Sequence, residues 1–451
     1  NAGNDITVQL RNALYQSNVW GGGNVTLDAG NDVNIIDSIV DSEAFNNIIA
    51  DNDINIYQGT IEGNTIGIVS DNGNINITNS SLSGDEGVTI DATQGYVRID
   101  PTYIISDSGT ITITALTDID VIDSELYAGA DINLEAGDNV RVVSSILEAG
   151  DNILIDADTG NIYIDNTVAY AYNGTLDVTA DGDVDITAAS DLFGDGDVTI
   201  DAATGYVRIA DVSLVTSGNG SLLISANGGA GYVEISDSYL DSVGDMEITA
   251  GDYVKALNTV MSGTDSLTVD AATGYVEFNE VTAESEGGIT VNAGTDVTIL
   301  ASTLDTTIVP LGGDILIDAG SGNLRVDDSD LTSDGEASLT AAVNVDILDS
   351  LIDAQDGVVV TATTGSMDIT NTTVSSSNDI IDINAQTNVD ITDGTLTAEG
   401  DITIDAATGY VWIDPTTIIS NSGSILVTAA TDVDIVDSQF NAGLDIGITA
   451  T

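Results

Sequence analysis

Carboxylates are the residues of this chain that could do chemistry. Asp and Glu account for 74 of its 451 residues against six Lys and Arg, so the formal net charge is −68. Three acids, Asp346, Asp368 and Asp390, recur at equal spacing, with no base at the equivalent position between them. Because Ca²⁺ prefers several oxygen ligands, these acids are a candidate Ca²⁺ site, although no cofactor is required. The alternative is diffuse screening of the negative charge by counter-ions.

Catalytic chemistry finds little support in the same residues. Paired carboxylates can hydrolyse glycosidic bonds, but in a chain this acidic such pairs arise by chance. The repeats described below carry no long insertion that could enclose a cleft. The chain also has no cysteine and no histidine, which removes disulfide, thiolate and imidazole chemistry. We therefore predict no catalytic residues and no enzymatic activity.

The few bases are arranged in a pattern. Five of the six occupy one recurring position, the outward slot between two apolar residues, and the sixth, Arg11, lies elsewhere. If successive copies of this position stack in register, unlike charges attract and like charges repel. The bases then interrupt a column of carboxylates, and we predict a charge ladder that includes Arg98, Asp120, Arg141, Arg208, Glu234, Lys255, Glu277 and Arg325.

Four tyrosines occupy another recurring position, just before the run that carries the bases. Tyr206, Tyr232, Tyr253 and Tyr275 are consecutive copies of it. Stacked in register, the rings would form an aromatic platform of the kind that binds carbohydrate. The alternative is that the rings stack on one another and shield a corner of the fold.

These side chains are positioned by short strands of a repeat. In residues 400–420, Ile402 and Ile404 alternate with polar residues, Val411 and Ile413 repeat the alternation, and Ile418 begins a third run. An alternation of period two is typical of a strand with one apolar face. Variants of this stretch recur along the whole chain, with a mean period in the range that is typical of solenoid repeats.

Repeats of three short strands predict one fold. No strand can bury its apolar face alone, but parallel, in-register stacking of successive coils encloses a continuous core. We predict an all-β, right-handed, three-sided parallel β-helix, or β-solenoid, of about 20 coils of about 22 residues. Before the third strand, a recurrent Ser or Thr is expected to point inward and donate to turn carbonyls. The Asp or Asn that often precedes it is expected to adopt a left-handed backbone conformation.

The repeat also predicts the domain organisation. Residues 1–24 are expected to form an irregular first coil or junction, which contains Arg11, and residues 25–451 a continuous solenoid. Residues 88–136 closely match residues 402–450, which lie fourteen coils further along the chain. This match indicates duplication of a fourteen-coil block.

The charge and the apolar pattern restrict the partners. A net charge of −68 argues against nucleic acid, because nothing in the chain could neutralise phosphates. No apolar run is long enough to span a membrane. The partner that remains is the chain itself, through head-to-tail stacking, continuation in a longer parent chain, or lateral bundling.

The repeated run Gly-x-Ile-x-Ile-x-Ala-x-x-Gly-x-Val-x-Ile, from about Val25 to Thr451, resembles the repeats of filamentous-haemagglutinin-type exoproteins and adhesins. The resemblance implies a right-handed β-solenoid that is secreted and forms a fibre on or beyond a bacterial surface. We therefore expect a structural protein of an extracellular filament. The alternative is the stalk of a bacterial adhesin that binds cells or glycans, with cation-stabilised acidic faces. The resemblance supplies no functional residues.

Overall fold

The computed structural model describes residues 6–9, 13–211, 213–307 and 313–451. Internal contacts divide the chain into two units, Asn1–Ala226 and Asn227–Thr451, and each is described by itself. In their described residues, both units consist of strands joined by turns, with no helix. Each unit is a parallel β-solenoid, and the chain has about 20 turns of about 22 residues in all. The predicted all-β solenoid fold is thus confirmed. The described residues contain no long apolar helix that could span a membrane.

Each turn of the first unit contributes one strand to each of three faces. The first face consists of Ile6–Gln9, Val25–Ala29, Phe45–Ala50, Thr110–Ala115, Ile132–Ala136, Ile153–Ala157, Leu176–Ala180, Val198–Ala202 and Leu222–Ala226. The second face consists of Ala13–Tyr15, Val33–Ile36, Ile54–Tyr57, Ile75–Thr78, Val97–Ile99, Ile119–Ile122, Val140–Val143, Ile162–Asp165, Val184–Thr187 and Val207–Ile209. The third face consists of Asn18–Gly21, Ile39–Ser42, Thr102–Ser106, Glu125–Ala128, Ile146–Ala149, Val168–Ala171, Asp191–Gly194 and Leu214–Ser217. Two longer strands, Thr60–Ser70 and Ser80–Ala92, run without a break from the third face onto the first.

The second unit repeats the three faces. Its first face consists of Met246–Ala250, Leu267–Ala271, Gly288–Ala293, Asp314–Ala319, Glu336–Ala341, Gly357–Ala362, Ile381–Ala385, Ile402–Ala406, Ile425–Ala429 and Ile446–Ala450. Its second face consists of Val233–Ser236, Val254–Leu257, Val276–Asn279, Val297–Leu300, Leu324–Asp327, Val345–Leu348, Met367–Thr370, Val389–Thr392, Val411–Asp414 and Val433–Ile435. Its third face consists of Tyr239–Ser242, Val260–Gly263, Thr282–Ser285, Thr303–Asp305, Asp330–Ser333, Leu351–Ala354, Thr373–Ser376, Thr395–Ala398, Thr417–Ser420 and Gln439–Ala442.

Strands of one face pair in parallel with the equivalent strands one turn away. On the first face, Ile132 lies opposite Ile153. On the second face, Val345 lies opposite Met367. Equivalent repeat positions therefore form columns along each unit, as the sequence predicts.

The core follows from the alternation along each strand. Strands such as Ile153–Ala157 bury every second residue and leave the residues between them partly exposed. The inward positions are filled almost entirely by Ile, Val, Leu and Ala, and most of them are fully buried. Because these side chains are short, opposing faces can approach closely enough to exclude water from a thin core.

Hydroxyl side chains hold the corner before the third face. Ser329 is buried, donates from Oγ to the Asp327 carbonyl oxygen at 2.8 Å, and accepts from the Ser302 backbone N–H at 3.1 Å. The same inward placement holds for the rest of the predicted row, which is buried except at Ser438: Ser124, Ser145, Thr167, Ser238, Thr259, Ser302, Ser350, Thr372 and Thr416. Both the inward orientation and the bonds to turn carbonyls are confirmed.

The residue before each hydroxyl has a left-handed backbone. The predicted Asp and Asn residues have φ between 48° and 50°: Asp123, Asn166, Asp237, Asn258, Asp328, Asp349, Asn371 and Asp437. Their short polar side chains tolerate this conformation better than β-branched ones do. This prediction is also confirmed.

The start of the chain forms strands where it is described. Ala13–Tyr15 pairs with the strand Val33–Ile36, and Asn18–Gly21 pairs with Ile39–Ser42. Pairing with the next turn overrides the irregular sequence of this segment. Arg11 lies outside the described residues. The boundary between residues 24 and 25, the continuity of the solenoid and the fourteen-coil duplication stay predictions.

Candidate functional site

The outward positions of the second face form the column that the bases were predicted to share. In the first unit, in-register pairing joins nine residues: Asn34, Asn55, Asn76, Arg98, Asp120, Arg141, Tyr163, Asp185 and Arg208. In the second unit it joins ten: Glu234, Lys255, Glu277, Thr298, Arg325, Asp346, Asp368, Asp390, Trp412 and Asp434. We call each set the outward column of its unit.

Two of the arginines form ion pairs within their own turn. The guanidinium of Arg98 binds Asp100, and that of Arg325 binds Asp327, each at 2.6 Å. Residues two apart on or beside a strand project from the same face, and the long arginine side chain spans that distance. The pKa of Arg98 is raised, chiefly by the hydrogen bond to Asp100 and further by the charges of Asp100 and Asp120. Arg98 therefore forms its ion pair with Asp100, and the charge of its column neighbour Asp120 contributes to the raised pKa.

Two other bases contact acids of adjacent turns in their columns. Lys255 Nζ lies 3.1 Å from Glu277 Oε1, and this hydrogen bond is the main reason that the pKa of Lys255 is raised. Arg208 Nη1 lies 4.0 Å from Asp185 Oδ1 in the first unit. Arg141 lies in register between Asp120 and Tyr163, and the ion pairs found in the described residues do not include it. The ladder therefore combines ion pairs between turns with ion pairs within a turn.

The three acids proposed for Ca²⁺ lie in consecutive turns. Asp368 is in register with Asp346 on one side and Asp390 on the other. Desolvation raises the pKa of both flanking carboxyls, and the charge of Asp368 raises each further; Arg325 opposes this effect at Asp346, and the hydrogen bond from Tyr410 opposes it at Asp390. Among the described residues, no three or more acidic side chains are grouped so that they could hold a metal ion. The three carboxylates are thus arranged as a column of like charges.

Several other acids at turns bind the backbone of the next turn. Asp314 Oδ1, for example, accepts the Glu336 N–H at 2.8 Å, and Asp401 Oδ1 accepts the Ser424 N–H at 2.6 Å. Because such a carboxylate satisfies a main-chain donor at a corner, its role is structural.

The tyrosines before the second face stack on one another. In the second unit, the rings of Tyr232 and Tyr253 lie 4.7 Å apart and 4° from parallel, and those of Tyr253 and Tyr275 lie 5.0 Å apart and 1° from parallel. Tyr206 belongs to the first unit. The stack favours the shielding interpretation over an open platform, because each ring covers a face of its neighbour.

A bond that sequence reasoning missed links these tyrosines to the outward columns. The Tyr253 hydroxyl donates to Glu234 Oε1 at 2.9 Å, and the Tyr410 hydroxyl donates to Asp390 Oδ2 at 3.1 Å. Burial and the bond to Glu234 raise the pKa of Tyr253. In the first unit, Tyr206 makes the same bond to Asp185 at 3.0 Å. The sequence contained a signal for this bond, because the outward column has an acid one turn before each tyrosine. These acids are Glu234 before Tyr253, Asp390 before Tyr410 and Asp185 before Tyr206.

A second missed feature is an amide ladder in the first unit. Asn55 Nδ2 donates to Asn34 Oδ1 at 3.1 Å, and Asn76 Nδ2 donates to Asn55 Oδ1 at 3.2 Å. These side-chain bonds link successive turns alongside the backbone bonds of the ladder. These three asparagines stabilise the stack without adding charge.

Comparison with known proteins identifies a related repeat. Residues 7–62 match the family model described as a hemagglutinin repeat. Together with the solenoid fold, this match confirms the similarity to filamentous-haemagglutinin-type repeats. No curated protein and no solved structure matches the chain significantly.

Proposed function

We propose that this chain is a structural segment of a bacterial fibre that is secreted or displayed at the cell surface. The observation that carries the proposal is the parallel, in-register stacking of short strands in both units, together with the hemagglutinin-repeat match. Such stacking converts sequence length into rod length, at about 4.8 Å per turn. Ten second-face strands in each unit therefore correspond to roughly 45–50 Å of stacked turns.

The chemistry of the outward columns supports a structural role over a catalytic one. In the described part of the chain, these columns contain ion pairs and an amide ladder, and the tyrosines beside the column of the second unit stack; several of these contacts link one turn to the next. These contacts between turns hold the stack together, which is the property that a fibre requires.

The hemagglutinin-repeat match favours a second candidate function, the stalk of an adhesin. In this hypothesis the solenoid is the stalk segment of an adhesin that binds cell surfaces or glycans, and its acidic faces are stabilised by cations. Self-association through head-to-tail stacking or lateral bundling belongs to the first hypothesis.

Electron microscopy of the purified chain tests the proposal. We expect thin, unbranched rods or fibres whose diffraction contains a strand repeat near about 4.8 Å along the axis. Compact globular particles without that repeat would contradict the fibre role. Saturable binding of isolated rods to erythrocytes or immobilised glycans would favour the adhesin stalk instead.

A further inference from the structure

Two exposed aromatic rings and three carboxylates line one recess on the second face of the second unit. The recess has a volume of about 360 Å³ and is lined by Asp390, Tyr410, Trp412, Asp432 and Asp434. Tyr410 and Trp412 are 38% and 36% exposed. Trp412 belongs to the outward column and lies in register between Asp390 and Asp434. Aromatic faces and negative charges therefore occur side by side at one place.

The first unit has a recess at the equivalent repeat positions, and this one contains its own cations. Its lining includes Tyr96, Arg98, Asp118 and Asp120, together with Arg141. The Arg98 guanidinium is held there by Asp100, and the charge of Asp120 helps to raise its pKa.

The two recesses differ most clearly at the position of that guanidinium. Tyr410, Asp432 and Asp434 repeat Tyr96, Asp118 and Asp120, whereas Trp412 stands where the first unit has Arg98. A side chain that supplied positive charge has thus been replaced by one that supplies an aromatic face. Asp432 and Asp434 match Asp118 and Asp120, and Asp390 stands where the first unit has Asn76.

The acids of the second recess form no ion pair within the described residues. The ion pairs found there do not include Asp390, Asp432 or Asp434. The nearest preceding base of the outward column is Arg325, four turns before Trp412, or roughly 19 Å at about 4.8 Å per turn. Three carboxylates therefore face the recess without a partner charge from the three turns that precede Trp412 in this column.

We propose that this recess binds an external guanidinium group between its aromatic rings and its carboxylates. A guanidinium is planar and stacks on Trp and Tyr rings, while its five N–H donors suit surrounding carboxylates. An inorganic cation would leave the aromatic faces unused. A neutral sugar would leave the three negative charges uncompensated. The guanidinium is the group that uses both features.

Tryptophan fluorescence of the full chain provides the test. The chain has two tryptophans, so Trp20→Phe leaves Trp412 as the only one. The probes are N-acetylarginine amide and N-acetylcitrulline amide, whose urea group has nearly the same shape but no charge, both at constant ionic strength. We expect a saturable change in Trp412 emission with the arginine probe and none with the citrulline probe.

Two further probes distinguish the sources of the guanidinium. An acetyl-Gly-Arg-Gly amide represents an arginine side chain of a partner polypeptide, and free arginine represents a small molecule. Tighter binding of the peptide assigns the site to a polypeptide partner, whereas equal or tighter binding of free arginine assigns it to the small molecule.

Matched variants locate the binding. Asp432→Asn combined with Asp434→Asn should weaken binding of the arginine probe about tenfold, a ratio that corresponds to about 1.4 kcal/mol. The same pair of changes at the equivalent positions, Asp118→Asn with Asp120→Asn, should leave it unchanged. Trp412→Arg, followed by calorimetry, should abolish binding because the variant supplies its own guanidinium.

Several outcomes would overturn the proposal. They are the absence of a saturable change, an equal response to the citrulline probe, and equal weakening by the two pairs of Asn substitutions. Tighter binding of N-acetylglucosamine than of the arginine probe would assign the recess to carbohydrate and also overturn it. Circular dichroism verifies that each variant retains its strands. None of these results bears on fibre formation, which is tested separately by microscopy.

Discussion

Single side chains at the corners bridge one turn of the solenoid to the next. Ser329 accepts a hydrogen bond from the Ser302 N–H and donates one to the Asp327 carbonyl oxygen, and it is 2% exposed. Its neighbour Asp328 has φ of 50°, which turns the chain so that the hydroxyl points inward. A buried polar group that is fully satisfied costs little, whereas one left without a partner is expensive.

Removal of the Ser329 hydroxyl should therefore destabilise the second unit. Ser329→Ala leaves the Ser302 N–H without its acceptor, at a cost of about 1–3 kcal/mol. We expect a lower urea midpoint and faster hydrogen exchange at the Ser302 amide, measured by mass spectrometry.

The matched control is Ser338→Ala in the strand Glu336–Ala341. The side chain of Ser338 alternates with the buried residues of that strand and is partly exposed. Its loss should change stability by less than about 0.5 kcal/mol. Equal effects of the two substitutions would show that the corner bond contributes nothing specific.

Strands of the second face place like charges next to one another where acids occupy consecutive positions of the outward column. Asp346, Asp368 and Asp390 are the longest such run of acids in the second unit. The pKa of Asp346 and of Asp390 is raised above the usual 3.8, first by desolvation and also by Asp368. A carboxyl whose pKa is raised by folding binds protons more readily in the folded state. Its unfavourable contribution to stability therefore diminishes as pH falls through the raised pKa.

Neutralisation of the central acid should stabilise the column. Asp368→Asn removes the charge that raises the pKa of Asp346 and Asp390, so both pKa values should fall. Stability at neutral pH should rise by about 0.2–1 kcal/mol for each repulsive pair removed. Carboxyl titration by NMR and thermal melting at neutral pH provide the measurements.

Asp382→Asn is the control for Asp368→Asn, because the in-register neighbours of Asp382 are the uncharged Val359 and Thr403. This change should leave the pKa of Asp346 and Asp390 unaltered. If Asp368→Asn lowered the melting temperature instead, a bound cation at the three acids would be the better explanation.

The whole molecule carries far more negative charge than its bases can balance, with 74 acidic side chains against six basic ones. In a compact fold these charges repel one another, and the repulsion is screened over about 8–10 Å at physiological ionic strength. Acids occur along the whole sequence, so the repulsion is distributed.

Added salt should therefore stabilise the protein without a specific ion. We expect the melting temperature to rise with NaCl concentration and to rise by about the same amount with CaCl₂ at equal ionic strength. A substantially larger rise with CaCl₂ that is reversed by a chelator would instead demonstrate an ordered Ca²⁺ site.

Much of the fold can be predicted from the sequence because its interactions are local and repeated. The alternation of Ile402 and Ile404 with polar residues defines a strand, and the regular spacing of the repeat aligns that strand with its equivalents. Once register is known, the column that contains Lys255 and the inward direction of Ser329 follow. Asp328 could likewise be assigned a left-handed backbone, since its residue type and its position both favour that conformation.

Other features depend on distances between side chains, which the period of a repeat does not specify. Arg98 binds Asp100 in its own turn because the long arginine side chain can reach more than one acid, and its rotamer decides which one it contacts. Tyr410 and Trp412 share a recess with three acids only because adjacent turns are stacked so closely that their outward side chains meet. A linear pattern determines which residues share a column, but side-chain length and rotamer decide which of them touch.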